Sequence, residues 1–216
     1  MGLFMELLDI IYPSTCPGCG KVMEPGGLWC EDCIKNVWGP RLINSSFTEH
    51  LSGCYTLCRY EGTLRDCIIR LKYGGRKEKA RAFPPLLDRF PFWDRIGTFD
   101  MVIPVPLSRA KMEKRGYNQV DLMFEIWMKF HYKNYVRNGL IRIRSGETQS
   151  LLSRVERFEN IKGLFHIRKD LSIAGKNILL VDDVYTTGAT MESCAHELKR
   201  AGAKKVSGLT IASGAS

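Results

Sequence analysis

Residues 178–190 read ILLVDDVYTTGAT, and no other segment constrains the fold of this chain as strongly. The apolar run at its start predicts a buried parallel strand, which we expect to span residues 178–182. A helix is expected after the TTG turn, because four apolar residues recur there at helical spacing and Gly202 provides a stop signal. These residues are Met191, Cys194, Ala195 and Leu198. The segment therefore predicts a strand, a turn and a helix in direct succession.

The turn in this segment carries groups that suit a sugar phosphate. Backbone N–H groups of the turn and of the helix N-terminus, together with the helix dipole, attract a phosphate. Gly188 lets the backbone approach a ligand closely, and the neighbouring threonines add hydroxyl donors. Asp182 and Asp183 can accept hydrogen bonds from the vicinal hydroxyls of a ribose. The alternative is an ordinary strand–turn–helix unit in which Asp and Thr serve as caps.

The same segment resembles the loop that binds phosphoribosyl diphosphate (PRPP) in type I phosphoribosyltransferases, where an acidic pair precedes a Thr/Gly turn. By that resemblance, PRPP would be bound by Val184, Tyr185, Thr186, Thr187, Gly188, Ala189 and Thr190. Two other phosphate-binding patterns are missing from the sequence, which has no G-x-x-x-x-G-K-[ST] loop and no G-x-G-x-x-G after a strand. The sequence therefore favours a PRPP type of site.

Length and composition are those of a globular protein. The 216 residues suffice for one sizeable core and a small accessory module, and no stretch reaches the roughly 18 apolar residues of a membrane span. Residues 2–11 lack a basic lead, so we expect a short amphipathic helix there rather than a secretory signal, and a cytoplasmic location. The net charge of +9 favours an anionic partner, either a phosphorylated small molecule or nucleic acid, although an evenly solvated basic surface explains it equally well.

Four of the eight cysteines form two C-x-x-C pairs, which are separated by residues 20–29. Each pair can present two thiolates from one tight turn, and two pairs complete a tetrahedral zinc site with no position left for substrate. The metal would replace a hydrophobic core that so short a segment cannot build. Two disulfides or a redox pair are the alternatives. The expected zinc ligands are Cys16, Cys19, Cys30 and Cys33.

The remaining four cysteines are predicted to be buried core residues. Two of them lie four positions apart on a predicted strand, where they are about 13 Å apart and cannot hold one ion together. The other two fall on the apolar stripes of predicted helices, where a thiol packs as a small hydrophobic group. The four are Cys54, Cys58, Cys67 and Cys194.

Strands and helices alternate from about residue 55 onward, in the manner of a parallel α/β sheet. The expected strands are 54–58, 99–105, 140–144, 178–182 and 206–211, and the expected helices are 63–71 and 118–130. We therefore predict a doubly wound, mostly parallel sheet that binds its ligand at the carboxyl ends of the strands. This domain would span residues 51–216, after an N-terminal helix and cysteine module in residues 1–50.

A cationic turn follows the second of these strands. Residues 104–119 read PVPLSRAKMEKRGYNQ, so the strand ends in a stiff turn that is followed by several cations. The forked guanidinium of arginine matches phosphate oxygens, and the segment could therefore hold a diphosphate. A basic surface loop before a helix is the alternative. The residues to which we assign diphosphate binding are Pro106, Leu107, Arg109 and Arg115.

A long polar segment spans residues 146–160 and reads GETQSLLSRVERFEN. A loop of this length in a compact domain often forms a lid over a site. Its closure would exclude water and bring Arg154 or Arg157 toward developing negative charge. The alternative is a solvent-exposed amphipathic helix.

Taken together, the segments are similar to the ComF family of bacterial phosphoribosyltransferase-like proteins over nearly the whole chain. The marks of the resemblance are the cysteine module, Tyr60-Glu61-Gly62, Leu71-Lys72-Tyr73, residues 104–107 and 115–119, the spaced Gln149, Leu152, Arg157, Asn160 and Phe165, and the acidic turn. The resemblance implies a zinc ribbon followed by a type I phosphoribosyltransferase domain. It also implies a link to natural DNA uptake, with single-stranded DNA and competence proteins as partners.

The resemblance further implies a mechanism. PRPP would lose diphosphate through an oxocarbenium-like transition state, with Mg²⁺ bridging diphosphate and ribose oxygens. The catalytic residues would be Asp182 and Asp183, which orient the ribose, and Arg157. Two functional classes follow. The protein is either an enzyme that transfers phosphoribosyl to an unidentified acceptor, or a non-catalytic, zinc-containing single-stranded DNA-binding or assembly factor that retains a PRPP site.

Overall fold

Apolar runs from separate parts of the chain meet in one twisted sheet. The computed structural model describes residues 14–24, 28–43, 49–132, 134–143 and 163–214. Its strands are β1 (Trp38–Ile43), β2 (Cys54–Arg59), β3 (Met101–Pro104), β4 (Leu140–Arg142), β5 (Phe165–Ile167), β6 (Asn177–Tyr185) and β7 (Lys205–Ser213). Its α-helices are α1 (Glu31–Val37), α2 (Gly62–Tyr73), α3 (Pro84–Asp88), α4 (Trp93–Ile96), α5 (Arg109–Arg115), α6 (Gln119–Tyr132) and α7 (Ala189–Arg200), and a 3₁₀ helix spans Lys77–Ala82.

The main sheet has five strands in the order β1-β2-β7-β6-β3. The pairs β2–β7, β7–β6 and β6–β3 are parallel, whereas β1 runs antiparallel to β2 at the edge. The expected strands at 54–58, 99–105, 178–182 and 206–211 are all found in this sheet, which confirms the mostly parallel α/β fold. Because the parallel strands end at one edge, the segments that follow β3 and β6 lie close together.

The predicted strand at 140–144 does not belong to the main sheet, and this expectation was wrong. β4 pairs antiparallel with β5 in a separate two-stranded sheet. The outer edge of β3 is instead met by residues 134–136, whose backbone exchanges two hydrogen bonds of 2.8 Å with Val102. Once that edge is occupied, the following residues have no free strand to join there, and β4 packs over one face of the sheet.

Helices cover both faces of the sheet. On one face, α2, α3 and α6 pack against Leu179 and Val181 of β6, and on the other face α7 and the β4–β5 pair pack against Ile178 and Leu180. This alternation follows from the two-residue period of a strand. All four predicted core cysteines are buried, with at most 1% exposure. The same alternation continues beyond Val181, so Asp182 and Asp183 lie on opposite faces of β6.

The first described residues belong to the same core as the sheet. Trp29 and Ile34 are buried in the cluster that contains the α2 and α6 side chains. The Trp29 indole N–H also donates a 2.7 Å hydrogen bond to the Ala82 carbonyl. Among the helices in the described ranges, none is both long enough and apolar enough to cross a membrane.

Candidate functional site

The acidic pair lies inside strand β6 rather than after it. Asp182 is paired with Thr210 of β7, and the pairing continues to Tyr185 and Ser213. The strand is therefore three residues longer than the predicted end at Asp182, because β7 provides hydrogen-bond partners over this length. The turn that follows is correspondingly short, and α7 begins at Ala189.

Gly188 is the last residue of this turn and the N-cap of α7. Its φ of +82° lies in the left-handed region, and a Cβ added there would overlap the Tyr185 hydroxyl. Glycine is thus required by the Tyr185 ring beneath the turn as well as by any ligand above it. Tyr185 is only 2% exposed, so its side chain is buried beneath the turn and is not available to a ligand.

The other residues of the turn differ in their accessibility. Thr186 is exposed, Val184, Thr187 and Thr190 are half-buried, and Ala189 is buried. The Thr187 hydroxyl accepts a 3.5 Å hydrogen bond from the Ala189 N–H, as expected at the start of a helix. The threonines and the first residues of α7 therefore follow directly on the end of β6.

The Asp183 carboxylate is turned into the protein interior, where both of its oxygens have partners. The Lys72 ammonium lies 2.8 Å from Oδ1, and the Gln119 side-chain amide donates to Oδ2. The Arg115 guanidinium in turn donates to the Gln119 oxygen. The side chains of Lys72 and Asp183 are 18% and 6% exposed, so the ion pair is shielded from water.

Asp182 has a different environment on the opposite face of the strand. It is half-buried, and its Oδ1 accepts a 2.8 Å hydrogen bond from the Asp183 N–H. Burial, and then the charge of Asp183, raise the pKa of the Asp182 carboxyl to about 8. Burial first and the charge of Asp182 second raise the pKa of the Cys54 and Cys194 thiols nearby. The structure therefore separates the two carboxylates, which the sequence presented as an equivalent pair.

The cationic loop joins the same edge of the sheet. The Val105 N–H donates to the Val181 carbonyl over 2.9 Å, and the Asn118 side-chain amide donates to the Val105 carbonyl over 3.1 Å. Val105 at the start of the loop and Asn118 at its end therefore both lie beside the end of β3 and β6. Pro106 and Leu107 are half-buried at its start.

The two arginines assigned to this loop occupy different positions. Arg115 lies over the Tyr73 ring, 5.4 Å from its centroid, and reaches Asp183 through Gln119. Arg109 is on the exposed side of α5, where it forms a 2.8 Å ion pair with Glu113. The structure therefore brings Arg115 to the acidic residues and leaves Arg109 at the surface.

Sequence reasoning did not identify Lys72 and Gln119 as partners of Asp183. Both belong to short motifs that carried the family resemblance, but their roles depend on contacts across 111 and 64 positions. Such contacts leave no local periodicity in the sequence. Arg157 and the predicted lid at 146–160 lie outside the described residues, as does the N-terminal helix expected at 2–11.

The four predicted zinc ligands form one cluster. The sulfur atoms of Cys16, Cys19, Cys30 and Cys33 all lie within 4.8 Å of one another. The Cys19–Cys30 sulfur separation is 3.7 Å, close to the roughly 3.8 Å edge of a tetrahedron with Zn–S bonds of about 2.3 Å. The 16–21 turn is held by backbone hydrogen bonds of 2.8 and 2.9 Å. Four sulfur atoms grouped around one point are the arrangement that a zinc site of four thiolates requires.

Two family models match the chain in the regions just described. The phosphoribosyl transferase domain matches residues 133–216, which include β6, the turn and α7. The double zinc ribbon domain matches residues 7–43, which include the cysteine cluster. These matches agree with the fold and identify the cysteine cluster as a zinc ribbon, which supports a structural zinc ion.

The chain also matches curated proteins over most of its length. It is 31% identical to the competence protein ComFC of Bacillus subtilis over 94% of this chain and 80% of that protein. It is 31% identical to the DNA utilization protein YhgH of Escherichia coli K12, over 89% and 81% of the two chains. Competence protein F of Haemophilus influenzae is 25% identical, over 88% and 81%. The chain therefore belongs to the ComF family of phosphoribosyltransferase-like proteins with an N-terminal zinc ribbon.

Proposed function

We propose that the protein binds PRPP, or a related phosphorylated ribose, together with Mg²⁺ at the carboxyl edge of the sheet. The observation that carries the proposal is the convergence there of three chemically distinct parts. These are the acidic residues Asp182 and Asp183 of β6, the turn of residues 186–188 with the N-terminus of α7, and the loop that carries Arg115, which reaches Asp183 through Gln119. PRPP offers ribose hydroxyls, one phosphate and one diphosphate, which match these three parts in turn.

Each part would bind a different portion of PRPP. The α7 amides and the hydroxyls of Thr186, Thr187 and Thr190 would hold the 5-phosphate. Asp182 would accept hydrogen bonds from the ribose hydroxyls, and the loop with Pro106, Leu107 and Arg115 would face the diphosphate. Mg²⁺ takes oxygen ligands and keeps several waters, so the diphosphate and ribose oxygens would supply most of its ligands.

If the bound PRPP reacts, the protein acts by electrostatics. Departure of diphosphate leaves positive charge on the ribose, which Asp182 in its ionised form would stabilise, while Arg115 would stabilise the departing group. Asp183 would contribute its charge from inside the protein, since Lys72 and Gln119 occupy its oxygens.

Calorimetric titration with PRPP and MgCl₂ tests the binding. At a pH above 8, where Asp182 is ionised, we expect saturable binding that weakens about tenfold or more in Asp182→Asn, because a hydrogen bond to a charged group is lost. Asp170→Asn is the matched control, since Asp170 is exposed and pairs only with Arg168 among the contacts described for it. Equal affinities of the two variants, or no binding by the unmodified protein, would refute the proposal.

Radiolabelled PRPP distinguishes the enzyme from the non-catalytic protein. Transfer of label to one of a panel of acceptors, including single-stranded DNA, would support a phosphoribosyltransferase. Binding of PRPP with no transfer to any acceptor would support a protein that retains the site without turnover.

A second candidate function is the handling of single-stranded DNA, and the relatives are named as competence and DNA utilization proteins. The observation that favours it is an aromatic and cationic surface beside the site. Tyr73 is 73% exposed with Arg115 over its ring, and Lys77 lies 5.0 Å from the Tyr117 ring centroid. A base would stack on the exposed ring of Tyr73 while Arg115 and Lys77 contact the phosphates, whereas the Tyr117 ring is buried.

Fluorescence anisotropy with a labelled oligonucleotide tests this function. Affinity should fall steeply with salt and drop about tenfold in Tyr73→Ala. Phe130→Ala is the matched control, because Phe130 is 81% exposed but lies at the far end of α6. Salt-independent binding, or equal loss in both variants, would argue against it.

A further inference from the structure

Helix α2 contacts both the zinc ribbon and the acidic residues. In its first half, the Cys67 thiol donates a 3.1 Å hydrogen bond to the Pro17 carbonyl, inside the first C-x-x-C turn. A Cβ added at Gly18 would lie 3.0 Å from Thr63 and 2.9 Å from the Cys33 sulfur, so the turn and the helix are in close contact. In its last turn, α2 carries Lys72. The helix has 12 residues and is about 18 Å long, and about 14 Å of it separates Thr63 from Lys72.

The contacts of α2 leave it little freedom to move. Leu64, Ile68 and Leu71 have 0% exposure. The Leu71 carbonyl accepts a hydrogen bond from the Tyr117 hydroxyl, two residues before Gln119. The end of α2 is therefore tied to the start of α6, and a shift of α2 would displace both side chains that hold Asp183.

Lys72 and Gln119 fix Asp183 in its position. Burial lowers the pKa of the Lys72 ammonium, but the charge and hydrogen bond of Asp183, together with Asp182 and Tyr60, raise it above its usual value, so the ion pair persists. With both oxygens engaged, Asp183 stays on its own face of β6, and its backbone N–H donates to Asp182. The orientation of Asp182 therefore depends on the placement of its neighbour.

We propose that Lys72 and Gln119 are positioning residues of the phosphoribosyl site and that α2 makes their placement depend on the zinc ribbon. This inference rests on the proposed PRPP site. Zinc bound by the four cysteines keeps the 16–19 turn in place, the turn holds the first half of α2, and α2 sets the distance between Lys72 and Asp183. A structural metal site is thus coupled to ligand affinity at a second site.

Two variants probe the coupling without removing a zinc ligand. Cys67→Ala weakens the contact between α2 and the Pro17 turn, and Cys58→Ala is the matched control, because Cys58 is an equally buried thiol in β2. With zinc content measured as unchanged, we expect PRPP affinity to fall about fivefold in Cys67→Ala and less than about twofold in Cys58→Ala. Equal effects of the two changes would contradict the coupling.

Lys72→Met tests the positioning role directly. PRPP affinity should fall about tenfold in Lys72→Met and recover largely in Lys72→Arg, which retains the charge. Adding Cys67→Ala to Lys72→Met should cost little further affinity, because the two changes act through one contact. Full additivity of the two losses would overturn the inference.

Hydrogen exchange separates a failure of this inference from a failure of the proposed function. Chelation of zinc should increase exchange in the last turn of α2 and around Gln119, whether or not PRPP binds. Unchanged exchange there refutes the coupling, even if PRPP binds well. Increased exchange in a protein that does not bind PRPP refutes the proposed function and supports the structural linkage. If chelation unfolds the whole protein, the exchange of Cys67→Ala relative to Cys58→Ala gives the same comparison.

Discussion

The Lys72 ammonium lies 2.8 Å from the Asp183 carboxylate, although 111 positions separate the two residues along the chain. The pair is shielded from water, and Gln119 completes the partners of the carboxylate. Breaking a buried pair by removing one partner leaves an uncompensated charge, which is more costly than losing the attraction alone. Lys72 and Asp183 are therefore expected to matter for stability as well as for the site.

Lys72→Met should lower the free energy of unfolding by roughly 2–4 kcal/mol, since the Asp183 charge is left without its cation. Urea unfolding followed by circular dichroism measures the change. The double variant Lys72→Met/Asp183→Asn is the control and should recover part of the loss, because it leaves no unpaired charge. A double variant less stable than Lys72→Met would contradict this account.

Stability should depend on pH through Asp182. Because burial and the charge of Asp183 raise the pKa of its carboxyl to about 8 in the folded protein, the folded state binds the proton more tightly than the unfolded chain. This contribution to stability is complete at acid pH and is lost as pH rises toward 8. Asp182→Asn has no such proton, so its stability relative to the unmodified protein should increase between pH 5 and 8, by roughly 1–3 kcal/mol.

Thermal melting of both proteins at several pH values across this range provides the measurement. Asp170→Asn serves again as the exposed control and should follow the unmodified protein. Parallel curves for Asp182→Asn and the unmodified protein would show that the Asp182 carboxyl titrates normally.

Gly188→Ala should destabilise the protein and prevent PRPP binding. The substitution adds a Cβ at a left-handed position and drives it into the Tyr185 hydroxyl. Gly175→Ala is the control, because Gly175 has a φ of +71° and a Cβ there would meet no described atom within 4 Å. We expect a loss of about 1 kcal/mol for the control and about twice that or more for Gly188→Ala. Equal losses of stability in the two variants would show that the protein accommodates the added Cβ beside Tyr185 at no cost in free energy.

Removal of zinc should lower the melting temperature. Freshly reduced protein is expected to contain about one equivalent of zinc, and Cys19→Ser should contain much less. Colorimetric release of the metal measures the content, and Cys58→Ser tests whether any buried thiol contributes. Less than about half an equivalent in the unmodified protein would argue against a site of four cysteines.

Much of the fold followed from local patterns, and the exceptions have physical causes. The apolar run at 178–180 and the helical spacing after it predicted β6 and α7, because a parallel strand buried on both faces has little choice of residue. The extension of β6 to Tyr185 depends on β7, which provides backbone partners from a distant part of the chain. The pairing of β4 with β5 likewise depends on residues 134–136, which occupy the edge of β3.

The sequence predicted some residues of the candidate sites and did not reveal the contacts of others. The spacing of the cysteines was sufficient for the zinc ligands, since chelation requires thiolates from two tight turns. The two aspartates looked equivalent because they are adjacent in sequence. Strand periodicity puts them on opposite faces, and only the fold reveals that Lys72 and Gln119 reach one of them.

The pairing of β1 with β2 has a consequence for how this protein can be divided. A fragment that starts at Leu51 would lack β1 and present the backbone of β2 as an open edge. Unprotected edges recruit strands from other molecules, so such a fragment should aggregate rather than fold as an independent domain. We therefore expect homologous proteins to retain residues 1–50 together with residues 51–216.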